Sequence, residues 1–264
     1  MRNLRLGIEY EGTNYCGWQV QKSRQVTLPV RQAGKSPRHQ SKSIQEVIER
    51  TLQKILQEKV KLIASGRTDA GVHAWAQVAN FKTNSDIFPG KLQRALNGLL
   101  PADITISSVR EVPLDFHSRF AAKSKAYRYT ILNRSYPSAL LKNTVYFYRY
   151  PLDIRLMLRE SRVLLGRHDF KSFQASGRKE RDSVRTIKDL KIIKDRDLIH
   201  IEIEADGFLY NMVRNIVGTL IEIGRGRFPR GSLKKILASK NRGLAGPTVP
   251  AAGLCLIKVK YGCR

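Results

Sequence analysis

The chain has 264 residues, enough to bury a substantial core as one large domain or two fused smaller ones. Its 48 Lys and Arg against 22 Asp and Glu give a formal net charge of +26 and a pI near 10.4. That balance is too lopsided for a typical enzyme of small metabolites and points to a polyanionic partner, most simply nucleic acid. An anionic membrane surface fits less well, because no predicted helix pairs a wide basic face with exposed aromatics. No apolar run approaches the roughly 18 residues of a spanning helix, and the first residues enter an alternating strand, so no signal peptide is expected. Cys16, Cys255 and Cys263 are too few and too scattered for a disulfide framework or a zinc site. The five histidines form no HExxH-like cluster. The expectation is a cytoplasmic protein with no metal and no cofactor.

Leu4 to Glu9 alternates apolar with polar and predicts a strand. A turn with aromatic edges, Tyr10 to Tyr15, leads to Trp18, read as a core residue. Residues 22–42 are basic, polar and broken by Pro29 and Pro37, which predicts a long loop or insertion, either solvated or gripping phosphates. Its Gly34-Lys35-Ser36 is not a phosphate-binding loop, since Pro29 stands where that motif needs glycine. Ser43 and Glu46 have capping-box spacing ahead of an apolar stripe of Ile44, Val47, Ile48, Leu52, Ile55 and Leu56, a helix packed on a core. Lys59 to Ala64 predicts a short strand, and Ala76 to Phe81 another.

Between those strands lies Ser65-Gly66-Arg67-Thr68-Asp69-Ala70-Gly71-Val72-His73-Ala74, which follows neither the helix nor the strand period. Gly66 and Gly71 suggest a sharply shaped loop with Asp69 at its centre. The segment is either a polar turn or a functional carboxylate on a rigid mount.

Leu92, Ala95, Leu96 and Leu99 mark a second helix ended by Pro101, and Ile104 to Ile106 begins a strand. From Lys123 to Ile131 a further strand places Tyr127, Tyr129 and Ile131 on one face, with Arg128 and Thr130 on the other. Tyr127 suits cross-strand packing and base stacking equally. Ile154 to Leu165 has helical spacing, Arg178 to Arg181 is a charged loop, and Ile199, Ile201 and Ile203 mark a half-buried strand. Met212, Val213, Ile216, Val217, Leu220 and Ile221 define another helix, with Gly224 expected as its C-cap and Asn211, Asn215 and Glu222 on its polar face. Arg214 falls on the border of the apolar stripe, where it either snorkels or meets a carboxylate. The last strand is expected around Leu254 to Tyr261.

The mixture predicts an α+β fold: two related halves, residues 1–112 and 113–264, joined into one broad, mainly antiparallel sheet with helices packed on it. Glycoside hydrolysis usually needs two carboxylates, and only Asp69 presents itself. A lone carboxylate suits a reaction whose leaving and incoming groups belong to the same substrate, so that no water need be activated.

Five segments in order carry a resemblance. Gly66 to Ala74 resembles the signature of the tRNA pseudouridine synthase A family. Tyr10 to Gln19 is similar to its first motif, and Phe116 to Phe120 followed by Lys125 to Tyr129 to its central one. Phe208 to Gly218, and Ala245 to Thr248 through Gly253-Leu254, resemble its last two. The stretch 22–42 is longer and more basic than the family pattern. The resemblance implies the pseudouridine synthase fold, with an active-site cleft between the halves. It also implies isomerisation of uridine to pseudouridine on the 3′ side of the tRNA anticodon arm (positions 38, 39 and 40). Asp69 would be the nucleophile, Arg67 would help extrude the uridine, and Tyr127 would stack on the uracil. Arg214 would pair with Asp69 and keep it ionised, and Leu254 would line the pocket. A homodimer without metal, with tRNA across both subunits, is also implied. The charge and the Tyr/Arg strand alone would fit a non-catalytic RNA-binding protein or a synthase with another RNA target.

Overall fold

The computed structural model describes residues 1–19, 42–175 and 182–262. The predicted basic insertion, apart from Lys42, and the charged loop Arg178–Arg181 lie outside the described residues.

Strand β1 (Arg2–Tyr10) puts Leu4, Leu6, Ile8 and Tyr10 in the core on alternate positions. Helix α1 (Ile44–Leu56) starts where expected, the Ser43 hydroxyl accepting from the Glu46 amide at 3.1 Å. The Glu46 side chain pairs with Arg50 at 2.5 Å. Strand β2 is only Ile63–Ala64, shorter than the predicted Lys59–Ala64, whereas β3 (His73–Thr83) extends beyond both ends of the predicted strand. Helix α2 (Pro89–Leu99) opens on proline, which suits the first turn because its missing N–H has no helical partner there. Its expected core residue Leu99 is exposed, and Leu100, the C-cap, is buried instead. With Pro101 next, residue 100 leaves the helical conformation and turns its side chain inward.

Strands β4 (Ile104–Val112) and β5 (Ala122–Leu132) follow, then the short β6 (Tyr146–Phe147), helix α3 (Ile154–Ser161), β7 (Gly166–Asp169), β8 (Val184–Asp195) and β9 (Leu198–Ala205). Helix α4 (Met212–Gly224) and α5 (Ser232–Ser239) precede the closing β10 (Leu254–Tyr261). Gly224 is the last residue inside α4, not its left-handed cap. A Cβ there would lie 2.6 Å from Met157 Sδ, so the glycine serves the close packing of α4 on α3. Asn215, expected on the polar face, is fully buried: it donates to the Phe173 carbonyl and receives Arg242 and Thr248. Its amide is satisfied by neighbours rather than by water, which sequence periodicity does not reveal.

Among the described residues ten strands form one sheet in the order β4-β1-β3-β10-β5-β9-β8-β7, with β2 beside β3 and β6 beside β5. Among the described residues only β3–β10 and β5–β6 pair in parallel; the other pairs are antiparallel, so the broad, mainly antiparallel sheet matches the expectation. The first four strands and the last six lie on opposite sides of a single seam, the parallel β3–β10 pair, with Cys255 opposite His73 and Leu256 opposite Ala74. Helix α2 packs on β4, and α4 packs on β5, α3 and α5. Among the described residues no helix is long and apolar enough to cross a membrane.

Candidate active site

The loop between β2 and β3 is shaped by its neighbours. The buried Gln77 of β3 accepts from the Ser65 hydroxyl at 2.7 Å and donates to the Gly66 carbonyl at 2.9 Å. Thr68 is gripped twice, its carbonyl by the Trp18 amide at 3.0 Å and its hydroxyl by the Tyr10 phenol at 2.8 Å. A turn closes from the Val72 amide to the Asp69 carbonyl at 3.1 Å, with Gly71 in the left-handed region at φ 75°. At Gly66 a Cβ would sit 3.2 Å from Lys125 Nζ, so a larger residue there would shift the end of that side chain. The loop backbone is therefore fixed from both sides while the Asp69 side chain stays half-exposed. That is the mount expected of a working group.

Asp69 lines a cavity of about 490 Å³. Arg67, Tyr127, Arg214 and Leu254 line the same cavity, so the structure gathers all five predicted site residues from four separate segments. Arg67 is exposed, Arg214 half-buried, and Leu254 buried as the first residue of β10. Five cationic side chains (Lys61, Arg67, Arg119, Lys125 and Arg214) line the cavity with one carboxylate, Asp69, among the described residues. A hollow with this excess of cations favours an anionic ligand.

Tyr127 is both packed into the fold and placed on the cavity wall. It is 7% exposed, packed edge-on against Phe208 at 5.1 Å, and still lines the cavity. Burial raises its phenol far above the ordinary range, and the nearby Tyr10 and Asp69 add to the rise, so it remains neutral at physiological pH. Arg214 sits in the first turn of α4. Its Nε donates to the Val249 carbonyl at 2.7 Å and its Nη1 to Asn211 Oδ1 at 2.9 Å. Asn211 itself caps the helix in the left-handed region, without a side-chain capping bond. The guanidinium is thus fixed by two of its five donors, at the wall of the cavity. Trp18 is buried, as read, but it also supports the loop.

Sequence reasoning missed several contributors. Gln77 and Thr68 shape the loop, and a buried polar residue in an alternating strand was the only hint of Gln77. Phe208 follows an Asp-Gly turn and opens a recognised motif, but carried no assigned role. Lys125 belonged to a recognised motif but carried no assigned role. Among the described residues no group of three His, Cys, Asp or Glu side chains could hold a metal ion.

The geometry is matched by relationship. A family model described as tRNA pseudouridine synthase matches residues 7–121 and 161–262. The chain is 46% identical over 261 residues to tRNA pseudouridine synthase A of Acetivibrio thermocellus, covering 99% of this chain and 100% of that protein. It is 47% identical over 262 residues to tRNA pseudouridine synthase A 2 of Clostridium perfringens, again covering 99% and 100%. Among solved structures, a Cbf5-Nop10-Gar1 complex is similar at 13% identity and a TM-score of 0.33, covering 68% of this chain and 41% of that one, too distant to bear on the site. With most of its length matched by the family model and nearly all of it by these relatives, the chain belongs to the tRNA pseudouridine synthase family and is an isomerase.

Proposed function

We propose that the protein converts uridine to pseudouridine in the anticodon stem-loop of tRNA, with Asp69 as the catalytic nucleophile. The reaction breaks the bond between N1 of uracil and C1′ of ribose and joins C5 to the same carbon. A proton leaves C5 and one is taken up at N1, so no water is consumed and a single carboxylate suffices. Arg67 takes the place of the extruded uridine in the stack. Tyr127, neutral and fixed against Phe208, stacks on the uracil. Arg214, which lines the same cavity, pairs with Asp69 and holds it ionised, and Leu254 closes the pocket beside the base. Residues 1–112 and 113–264 act as the two halves of the cleft. A cytoplasmic homodimer, with tRNA lying across both subunits, completes the reading.

The observation that supports this most is that Asp69 lies on a rigid loop in a cavity it shares with five cations. Asp69→Ala should abolish pseudouridine formation in an unmodified tRNA transcript while leaving tRNA binding within a few fold. Normal product from that variant would overturn the assignment. Loss of tRNA binding by the wild type would favour another RNA target.

A further inference from the structure

At the mouth of the cavity the segment His117–Phe120 offers a feature that the proposed reaction leaves unused. Phe120 is 77% exposed, although it is large and apolar. Its ring is stacked on His117, with centroids 4.2 Å apart and planes 25° from parallel. The stack is held by the backbone: His117 Nδ1 accepts from the amides of Arg119 and Phe120, and the His117 carbonyl accepts from Ala121. One face of the Phe120 ring is thus already packed, so a second flat group on its other face would order little that is mobile. Next to it, Arg119 and Lys125 line the cavity; the Arg119 guanidinium carbon lies 5.8 Å from the Phe120 ring centroid, and among the described residues neither side chain has a carboxylate partner or a hydrogen bond. Lys125 is half-buried against Gly66. Desolvation, aided by the like charge of Arg119, pulls its ammonium down to about 8. An ammonium held this way gains from an anion that docks beside it.

We propose that Phe120, Arg119 and Lys125 form a subsite for the nucleotide adjacent to the target uridine, its base stacking on Phe120 and its phosphate docking on Lys125 and Arg119. The inference rests on the RNA-modifying reading above and adds where the flanking nucleotide goes. An aromatic face beside unpaired cations is the arrangement that binds a single-stranded nucleotide without regard to base identity. Lys125 also lies beside Gly66, in the loop that carries Asp69.

The test uses the full chain and an unmodified tRNA transcript carrying 2-aminopurine at the nucleotide next to the target. Phe120→Leu keeps an apolar residue at an exposed position and removes the stacking face. Its melting temperature should equal that of the wild type. Its tRNA affinity should fall by roughly 5- to 150-fold, the range of one lost stacking contact, and the fluorescence change on binding should vanish. Phe120→Trp should restore both. Lys125→Leu should lower the salt slope of binding by about one counterion. Wild-type affinity and fluorescence in Phe120→Leu would overturn the subsite even if pseudouridine is made normally. A wild-type enzyme that makes no pseudouridine in tRNA would instead overturn the reading on which it rests.

Discussion

His73 Nε2 lies 3.0 Å from the carbonyl oxygen of Ala252, across the seam where the two wings of the sheet meet. The other ring nitrogen, Nδ1, accepts from the Gly12 amide at 2.9 Å. Because Nδ1 accepts from an N–H, the ring proton sits on Nε2 and is donated to Ala252. One buried imidazole therefore ties the first motif, the end of the Asp69 loop and the residues leading into β10. His73→Ala leaves the buried Gly12 amide without its acceptor, which costs about 1–3 kcal/mol. For a chain of this size that lowers Tm by several degrees. A thermal melt with Tm unchanged would show that the seam does not depend on this bond.

Arg214 anchors to the Val249 carbonyl and to Asn211, and both anchors are set by its planar fork. Arg214→Leu should reduce the single-turnover rate on the order of 10²-fold or more, the scale of losing one fixed charge at a reacting centre. Arg214→Lys keeps the charge but not the fork, and should recover only a small part of the rate. If lysine performed as well as arginine, charge alone would be sufficient and the two anchors would be incidental.

The elements legible in the sequence were those whose period is clean. The strand at Leu4–Ile8, the Ser43 cap and the alternation of Ile199, Ile201 and Ile203 all appear where expected. The candidate site residues were singled out through motif resemblance, because no local pattern tells a functional Asp69 from a turn aspartate. What escaped was set by long-range contact. Asn215 looks polar-faced on a helical wheel, but Phe173, Arg242 and Thr248 arrive from elsewhere to satisfy it. Gly224 looks like a cap, but Met157 of another helix decides its role. Gln77 shapes the Asp69 loop through bonds to residues more than ten positions earlier, which periodicity cannot register.

A Cβ placed on Gly218 would lie 1.8 Å from the Pro247 carbonyl oxygen, a backbone atom that cannot swing aside. Gly218→Ala must push the 246–249 segment away from α4, at a cost of about 1–3 kcal/mol or more. Val249 belongs to that segment and receives Arg214 Nε, so the displacement should also release the guanidinium. The expected result is a lowered Tm together with a loss of turnover larger than the loss of tRNA binding. A variant that is destabilised but fully active above its reduced stability would separate the packing from the site.

Lys125 supplies a pH signature with opposite signs for folding and binding. Its neighbours in the cavity are Arg119, Arg67, Lys61, Arg214, His117 and the carboxylate of Asp69. With its ammonium held at about 8 in the fold and at the ordinary 10.5 when unfolded, the unfolded chain binds more protons between those values. This group's contribution to the stability of the free enzyme therefore rises as pH climbs from about 8 towards 10.5. Affinity for RNA moves the other way, since the cation that meets phosphate is lost as pH passes 8. Denaturant melts and tRNA titrations between pH 7 and 9.5 should show both trends, and Lys125→Leu should flatten both. If the variant kept the wild-type slopes, the trends would belong to another group, and Lys125 would have no part in binding the phosphate.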